Sequence, residues 1–138
     1  MRASLGGWTC LFGVLAACGG SGTSSVPIDQ IPPDKKLVDL SSGETQGVCD
    51  WVSSLAKEKL AGAMCDGSPI MLSGCMGVAP GCPATVSQYQ ACMPNFLDAL
   101  ASDPCQVLDF AFSMSDFESF VDGLPDCSAI GACVVSMP

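Results

Sequence analysis

From residue 42 onward, apolar side chains recur at helical spacing in blocks punctuated by glycine and proline. Val48, Trp51, Val52, Leu55 and Leu60 fall on one helical face. Ahead of them, Ser41-Ser42-Gly43-Glu44 offers a capping box, a serine hydroxyl for an early backbone N–H and a glutamate reaching back. The spacing predicts a helix over 42–62, ended near Gly62 and weakened in its first turns by Gly43 and Gly47. Residues 64–84 are rich in glycine, proline and cysteine and read as an irregular, bridge-held loop. A second capping box, Thr85-Val86-Ser87-Gln88, precedes Val86, Tyr89, Met93, Phe96, Leu97 and Leu100, which predicts a helix to about residue 101 that Pro94 should kink or break. Asp103-Pro104 supplies an N-cap followed by proline at the first helical position, opening a helix with Val107, Leu108 and Ala111. Ser115-Asp116-Phe117-Glu118 repeats the box, and Gly123 and Pro125 close a short helix on Phe117, Phe120 and Val121. Strand patterns are weak. The expected fold is a small all-α domain over residues 41–138, four or five helices around Trp51, Phe96, Phe110, Phe112, Phe117 and Phe120, stapled by disulfides.

The pattern before residue 42 differs. Met1 and Arg2 give a charged start, and Leu5, Trp8, Leu11, Phe12, Val14 and Leu15 form an apolar stretch that stops before Gly19-Gly20-Ser21-Gly22. A membrane-spanning helix needs about 20 apolar residues, so this run reads as a cleavable signal over residues 1–17. It ends in Leu15-Ala16-Ala17-Cys18, which resembles the lipobox of bacterial prolipoproteins. The resemblance implies cleavage between Ala17 and Cys18, a diacylglyceryl group and further acylation on Cys18, and no other cofactor. By the same resemblance Gly19, where an aspartate would retain the protein at the inner membrane, directs it to the outer membrane. The alternative is general secretion with cleavage before Ala17. Residues 18–40 are then a tether: a Gly/Ser coil to Ser25 spanning about 15 Å, and a stiffer proline-bearing segment to Asp34 adding about 28 Å if extended.

Composition sharpens this reading. Of ten cysteines, Cys10 leaves with the signal and Cys18 takes lipid. Cys49, Cys65, Cys75, Cys82, Cys92, Cys105, Cys127 and Cys133 remain, an even set as a disulfide framework requires; general secretion would leave one thiol unpaired. Eight cysteines allow 105 connectivities, and spacing selects none; Cys127 with Cys133 would be a local pair. The net charge is −9, and four of the five basic residues survive loss of Arg2, as Lys35, Lys36, Lys57 and Lys59. Nucleic acid, which needs clustered Lys and Arg, is excluded as a partner class, and an acidic body needs the lipid to stay at a membrane.

Chemistry is narrowed further because the chain contains no histidine. Ser-His-Asp triads, Cys-His pairs, HExxH sites and mixed Cys/His zinc clusters are excluded, and no two cysteines stand at CxxC spacing. No metal site is expected. Ser54-Leu55-Ala56-Lys57 matches an SxxK tetrapeptide without a companion KTG, and Lys57 and Lys59 read as a solvated helix face. Asp116, Glu118, Asp122 and Asp126 could supply an acid and base for hydrolysis, but read as a solvated acidic face. Mature methionines 64, 71, 76, 93, 114 and 137 are not paired closely and read as core filling. The expected function is a non-enzymatic, lipid-anchored envelope protein with a structural or protein-interaction role, partnered by the membrane and an envelope or extracellular protein. Two alternatives stand beside it. One is a carboxylate-dependent hydrolase. The other is an apolar-ligand module, since eight cysteines and about four helices resemble plant lipid-transfer proteins, although their adjacent Cys-Cys and Cys-x-Cys are missing here.

Overall fold

The computed structural model describes residues 24–72, 81–111, 113–131 and 133. The signal segment, Ala17, Cys18, Cys75, Met76, Phe112 and Met137 lie outside the described residues, as do the side chains of Phe110 and Met114. The fold is all-α, as the periodicity predicts. Helix α1 spans Ser42–Lys59, α2 Val86–Ser102, α3 Pro104–Ala111, α4 Met114–Asp122 and α5 Ser128–Gly131. Short 3-10 turns precede α1 at Ile28–Gln30 and Leu37–Asp39.

Both capping boxes form. Ser41 Oγ accepts from Glu44 N–H at 3.3 Å while Glu44 Oε2 accepts from Ser41 N–H at 2.7 Å. Thr85 and Gln88 do the same for α2, at 3.4 and 2.9 Å. Asp103 caps α3 through its carboxylate, 3.3 Å from Gln106 N. The box expected at Ser115 is not used: α4 starts two positions earlier behind Ser113, which makes no side-chain cap bond.

Helix α2 runs through Pro94 without a break. The proline forgoes one backbone bond, a penalty of about 3 kcal/mol in a helix interior. It is offset because Cys92, Met93, Phe96 and Leu97 around it are all buried. The Asn95 amide adds an anchor, donating to Pro125 O at 2.8 Å and to Ala91 O at 3.2 Å.

The core is more aliphatic than the aromatic positions predict. Its fully buried side chains include Met93, Leu97, Leu100, Val86, Val121 and Ile130. Phe96 is buried at the contact of α2 with α4, where Phe117 and Phe120 meet it edge-on at 6.0 and 6.4 Å. Those two rings and Trp51 are only half-buried, because they sit on the outer part of their helical faces.

Two expectations are corrected. The tether expected over 18–40 is, from Val26 onward, docked on the helical body. Val26 N–H donates to Gly43 O at 2.9 Å, Ile31 and Leu37 enter the core, and Lys35 to Leu37 pair with Ala84 to Val86. Lys35 Nζ closes on Glu44 at 2.7 Å, and this pair with the Ser41 amide pulls the Glu44 carboxyl down to about 2. Gly47, one of the two glycines that weaken α1, is the reason docking is possible: a Cβ on it would lie 1.6 Å from Val26 O. The folded body thus begins near Val26, well before residue 41.

The second correction concerns 64–84. Its first part is an antiparallel hairpin, β1 Met64–Cys65 with β2 Ser68–Pro69. Asp66 (φ 50°) and Gly67 (φ 80°) form the two-residue turn, the left-handed pair that Asp-Gly supplies at least strain.

Three described bridges hold the elements together, Cys65–Cys105, Cys82–Cys133 and Cys92–Cys127. Cys49 is half-buried and also disulfide-bonded. The local pairing of Cys127 with Cys133 does not occur. The short helix α5 stands between them and turns Cys127 toward α2 and Cys133 toward Cys82.

Candidate functional site

The last turns of α1 and the chain that follows build an apolar groove. Ala56 on the inner side of α1 and Leu60 at its C-cap are buried. The chain reverses after Leu60, with Ala63 N–H bonded to Leu60 O at 3.0 Å, passes round the hairpin, and returns with Ile70 N–H on Ala63 O at 3.0 Å. Ile70, Met71 and Leu72 are thereby laid beside α1. Together with Ala56, Lys57 and Leu60 they line a groove of about 240 Å³. Its lip is unusually apolar for a surface: Met71 is 82% exposed and Leu72 36%, and Met64 on the same hairpin is 54% exposed. Methionine on a surface of this kind adapts its shape to a partner at small conformational cost.

The groove's charge comes from Lys57. Lys59, two residues on, is held by Asp98 at 2.7 Å, and Lys35 by Glu44. Among the described residues Lys57 makes no ion pair. In an otherwise acidic chain the groove therefore offers an ammonium beside apolar walls. That arrangement accepts an apolar side chain with a neighbouring anionic group.

The hairpin is fixed from its other side by Cys65–Cys105, which ties β1 to the first turn of α3. Asp66 lies against it, its Oδ2 3.9 Å from Cys65 Sγ. Cys65, Asp66 and Cys105 bring three potential metal-ligand atoms within 4.8 Å of one another. Both sulfurs are committed to one covalent bond, however, and a thiolate is what ligates a metal. In the bridged state only the Asp66 carboxylate is an anionic donor.

The other sequence-derived candidates separate. Ser54 of the SxxK tetrapeptide donates its hydroxyl to Asp50 O at 2.9 Å, within its own helix, so its proton is not directed at Lys57. Asp116, Glu118, Asp122 and Asp126 are each exposed. Asp126 lines a shallow depression with Ser87, Gln88, Ala91, Ser128 and Ala129, and no second carboxylate joins it among those residues. The carboxyls with displaced acidity, Glu44 and Asp50, are both lowered, by the Lys35 partner and by Gln46 and Ser25 hydrogen bonds respectively. A general acid needs the opposite shift. The reading of all methionines as core filling holds for Met93 and fails for Met64 and Met71, which the hairpin turns outward. The groove residues Ile70 to Leu72 were not singled out by periodicity. The dipeptide Asp66-Gly67 was the available signal that the chain doubles back there.

Among the described residues no helix is long and apolar enough to cross a membrane. Compared with protein-family models, curated proteins and solved structures, the chain matches none of them.

Proposed function

We propose that the chain is a lipid-anchored envelope lipoprotein, attached through Cys18, whose bridged helical body is a non-enzymatic protein-interaction module. The observation that carries the interaction reading is the groove beside α1, with Met71 standing 82% exposed at its lip and Lys57 at its edge. The partner chemistry that fits is an extended protein segment presenting an apolar side chain next to a carboxylate. At about 240 Å³ and open to solvent, the groove is smaller than the roughly 300 to 1,000 Å³ typical of small-molecule sites, which favours a protein segment over a small apolar ligand. The hydrolase reading finds no support in the exposed, separate acids. Attachment rests on the lipobox, on Gly19, and on the even cysteine set that remains once Cys18 is acylated.

Two experiments test the reading. Intact mass spectrometry of the mature protein should give a chain starting at acylated Cys18; an unmodified chain starting at Ala17 would overturn the anchor. For the interaction, a photo-reactive residue at position 71 should cross-link one envelope protein in cells, and Leu72→Asp with Lys57→Glu should abolish that cross-link while thermal unfolding is unchanged. Cross-linking that survives both substitutions would remove the groove from the proposal.

A further inference from the structure

The three described bridges differ in one property that governs their chemistry. The sulfurs of Cys92 and Cys127 belong to residues 0% exposed, and those of Cys82 and Cys133 to residues 3% exposed. Cys65 and Cys105 are only half-buried. Exchange requires a thiolate to approach one sulfur in line with the bond to be broken, so access selects the bridge that reacts. The two buried pairs are closed to that approach unless the core opens. The third sits at the edge of a two-stranded hairpin.

Charge then selects the direction. The Asp66 carboxylate is 3.9 Å from Cys65 Sγ. Negative charge developing on Cys65 would face that carboxylate at close range, whereas Cys105 lies in the first turn of α3, where backbone N–H groups point outward and the helix end is electropositive. The Asp103 cap offsets part of that field, as its carboxylate accepts from Gln106 N–H. The Asp66 carboxylate also lies within 4.8 Å of Cys105 Sγ, so the contrast rests on its 3.9 Å approach to Cys65 together with the helix end at Cys105.

We propose that Cys65–Cys105 is a thiol–disulfide exchange site, attacked at Cys65, with Cys105 as the leaving thiolate and Asp66 as an electrostatic guard. The reacting partner is a thiol or dithiol of the envelope. Its thiolate forms a new S–S bond to Cys65 Sγ, the Cys65–Cys105 bond breaks, and the electron pair leaves on Cys105 Sγ. A second thiolate of the same reductant attacks the mixed disulfide and releases Cys65. The reductant ends as its own disulfide, two electrons having passed to the bridge, and two protons complete the Cys65 and Cys105 thiols. The opened bridge frees β1 from α3, and with it the hairpin that carries Ile70 to Leu72 into the groove. This inference stands on burial and charge at the bridge and does not depend on the anchor.

The test uses the mature, bridged protein under limiting glutathione at neutral pH, quenched with acid and mapped by peptide mass spectrometry. Glutathione should be found on Cys65, with Cys105 free, and this species should form at least tenfold faster than any adduct on Cys82, Cys92, Cys127 or Cys133. Asp66→Asn keeps a residue that tolerates the left-handed turn and removes the charge. It should speed attack by glutathione about fivefold at low ionic strength, with a smaller gain at high salt. Adducts appearing first on a buried bridge, on the half-buried and bridged Cys49, or on all bridges together, overturn the site. Adducts mainly on Cys105 overturn the direction of attack, and an Asp66→Asn rate equal to that of the parent overturns the guard.

Discussion

In a helix interior, replacing glycine by alanine normally raises stability by about 1 kcal/mol, through better helix propensity. Gly47→Ala should do the reverse here. The new Cβ would lie 1.6 Å from Val26 O and 2.7 Å from Val26 C, both backbone atoms that no rotamer change can move. The crossing segment must retreat by about 1.8 Å to reach an ordinary non-bonded distance. That movement breaks the 2.9 Å bond from Val26 N–H to Gly43 O, a loss of about 1 kcal/mol, and strips Val26 and Ile28 of their partial burial, about 2 kcal/mol more. After the propensity gain, a net destabilisation of about 2 kcal/mol remains. The assay is urea unfolding of two chains, one starting at Ser24 and one at Ile28, each with and without the substitution. In the longer chain Gly47→Ala should destabilise. In the shorter one, which lacks Val26, it should stabilise by about 1 kcal/mol. A substitution that acts with the same sign in both chains would refute the argument that docking of the N-terminal segment dictates glycine at this position.

Other outcomes follow from the bridges and the titrating groups. Cys92→Ala with Cys127→Ala removes a cross-link of sequence separation 35, and loop closure puts the loss at about 4 kcal/mol, read from non-reducing urea titration. Burial pushes the Tyr89 hydroxyl up to about 12. Its contribution is therefore complete below pH 10 and is lost as the pH rises toward 12, by up to about 2 to 3 kcal/mol; Tyr89→Phe should flatten that alkaline limb of the stability profile. The Glu44 carboxyl is lowered from 4.5 to about 2, chiefly by its hydrogen bond to Lys35, so its contribution is present above pH 4.5 and lost as the pH falls toward 2. Protection of residues 26–37, measured as hydrogen exchange relative to the intrinsic rate at each pH, should fall across that window in the parent chain, whereas Glu44→Gln should show low protection already at pH 6.

Periodicity made the long helices legible because each buries a continuous apolar stripe in the core, and their caps, Ser41 with Glu44 and Thr85 with Gln88, are local chemistry that the sequence spells out. It could not reveal the docked segment over 26–40. Val26, Ile31 and Leu37 are isolated apolar residues among prolines and lysines, and what receives them lies far along the chain: Val26 crosses over Gly47, and Leu37 N–H bonds to Ala84 O. Reading Gly47 only as a poor helix former missed that it leaves room for a crossing backbone. Helix α5 escaped notice since four residues carry no period, and its effect is to send Cys127 and Cys133 to different partners. The candidate groove fell in the stretch read as irregular. Its members Ile70, Met71 and Leu72 are consecutive, not periodic, and acquire a shared face only because Asp66-Gly67 reverses the chain.

The order of the bridges along the chain has a consequence for damage. Cys92–Cys127 lies wholly within the span of Cys82–Cys133, and Cys65–Cys105 overlaps both. Any single cut in the backbone between Cys65 and Cys133 therefore falls inside at least one closed loop. A protease can nick that part of the molecule without releasing a fragment: the two pieces should migrate as one band before reduction and separate after it. In the proposed envelope setting a first cut in that part of the chain then leaves the pieces tied to one another, and their separation requires a second cut or a reductant.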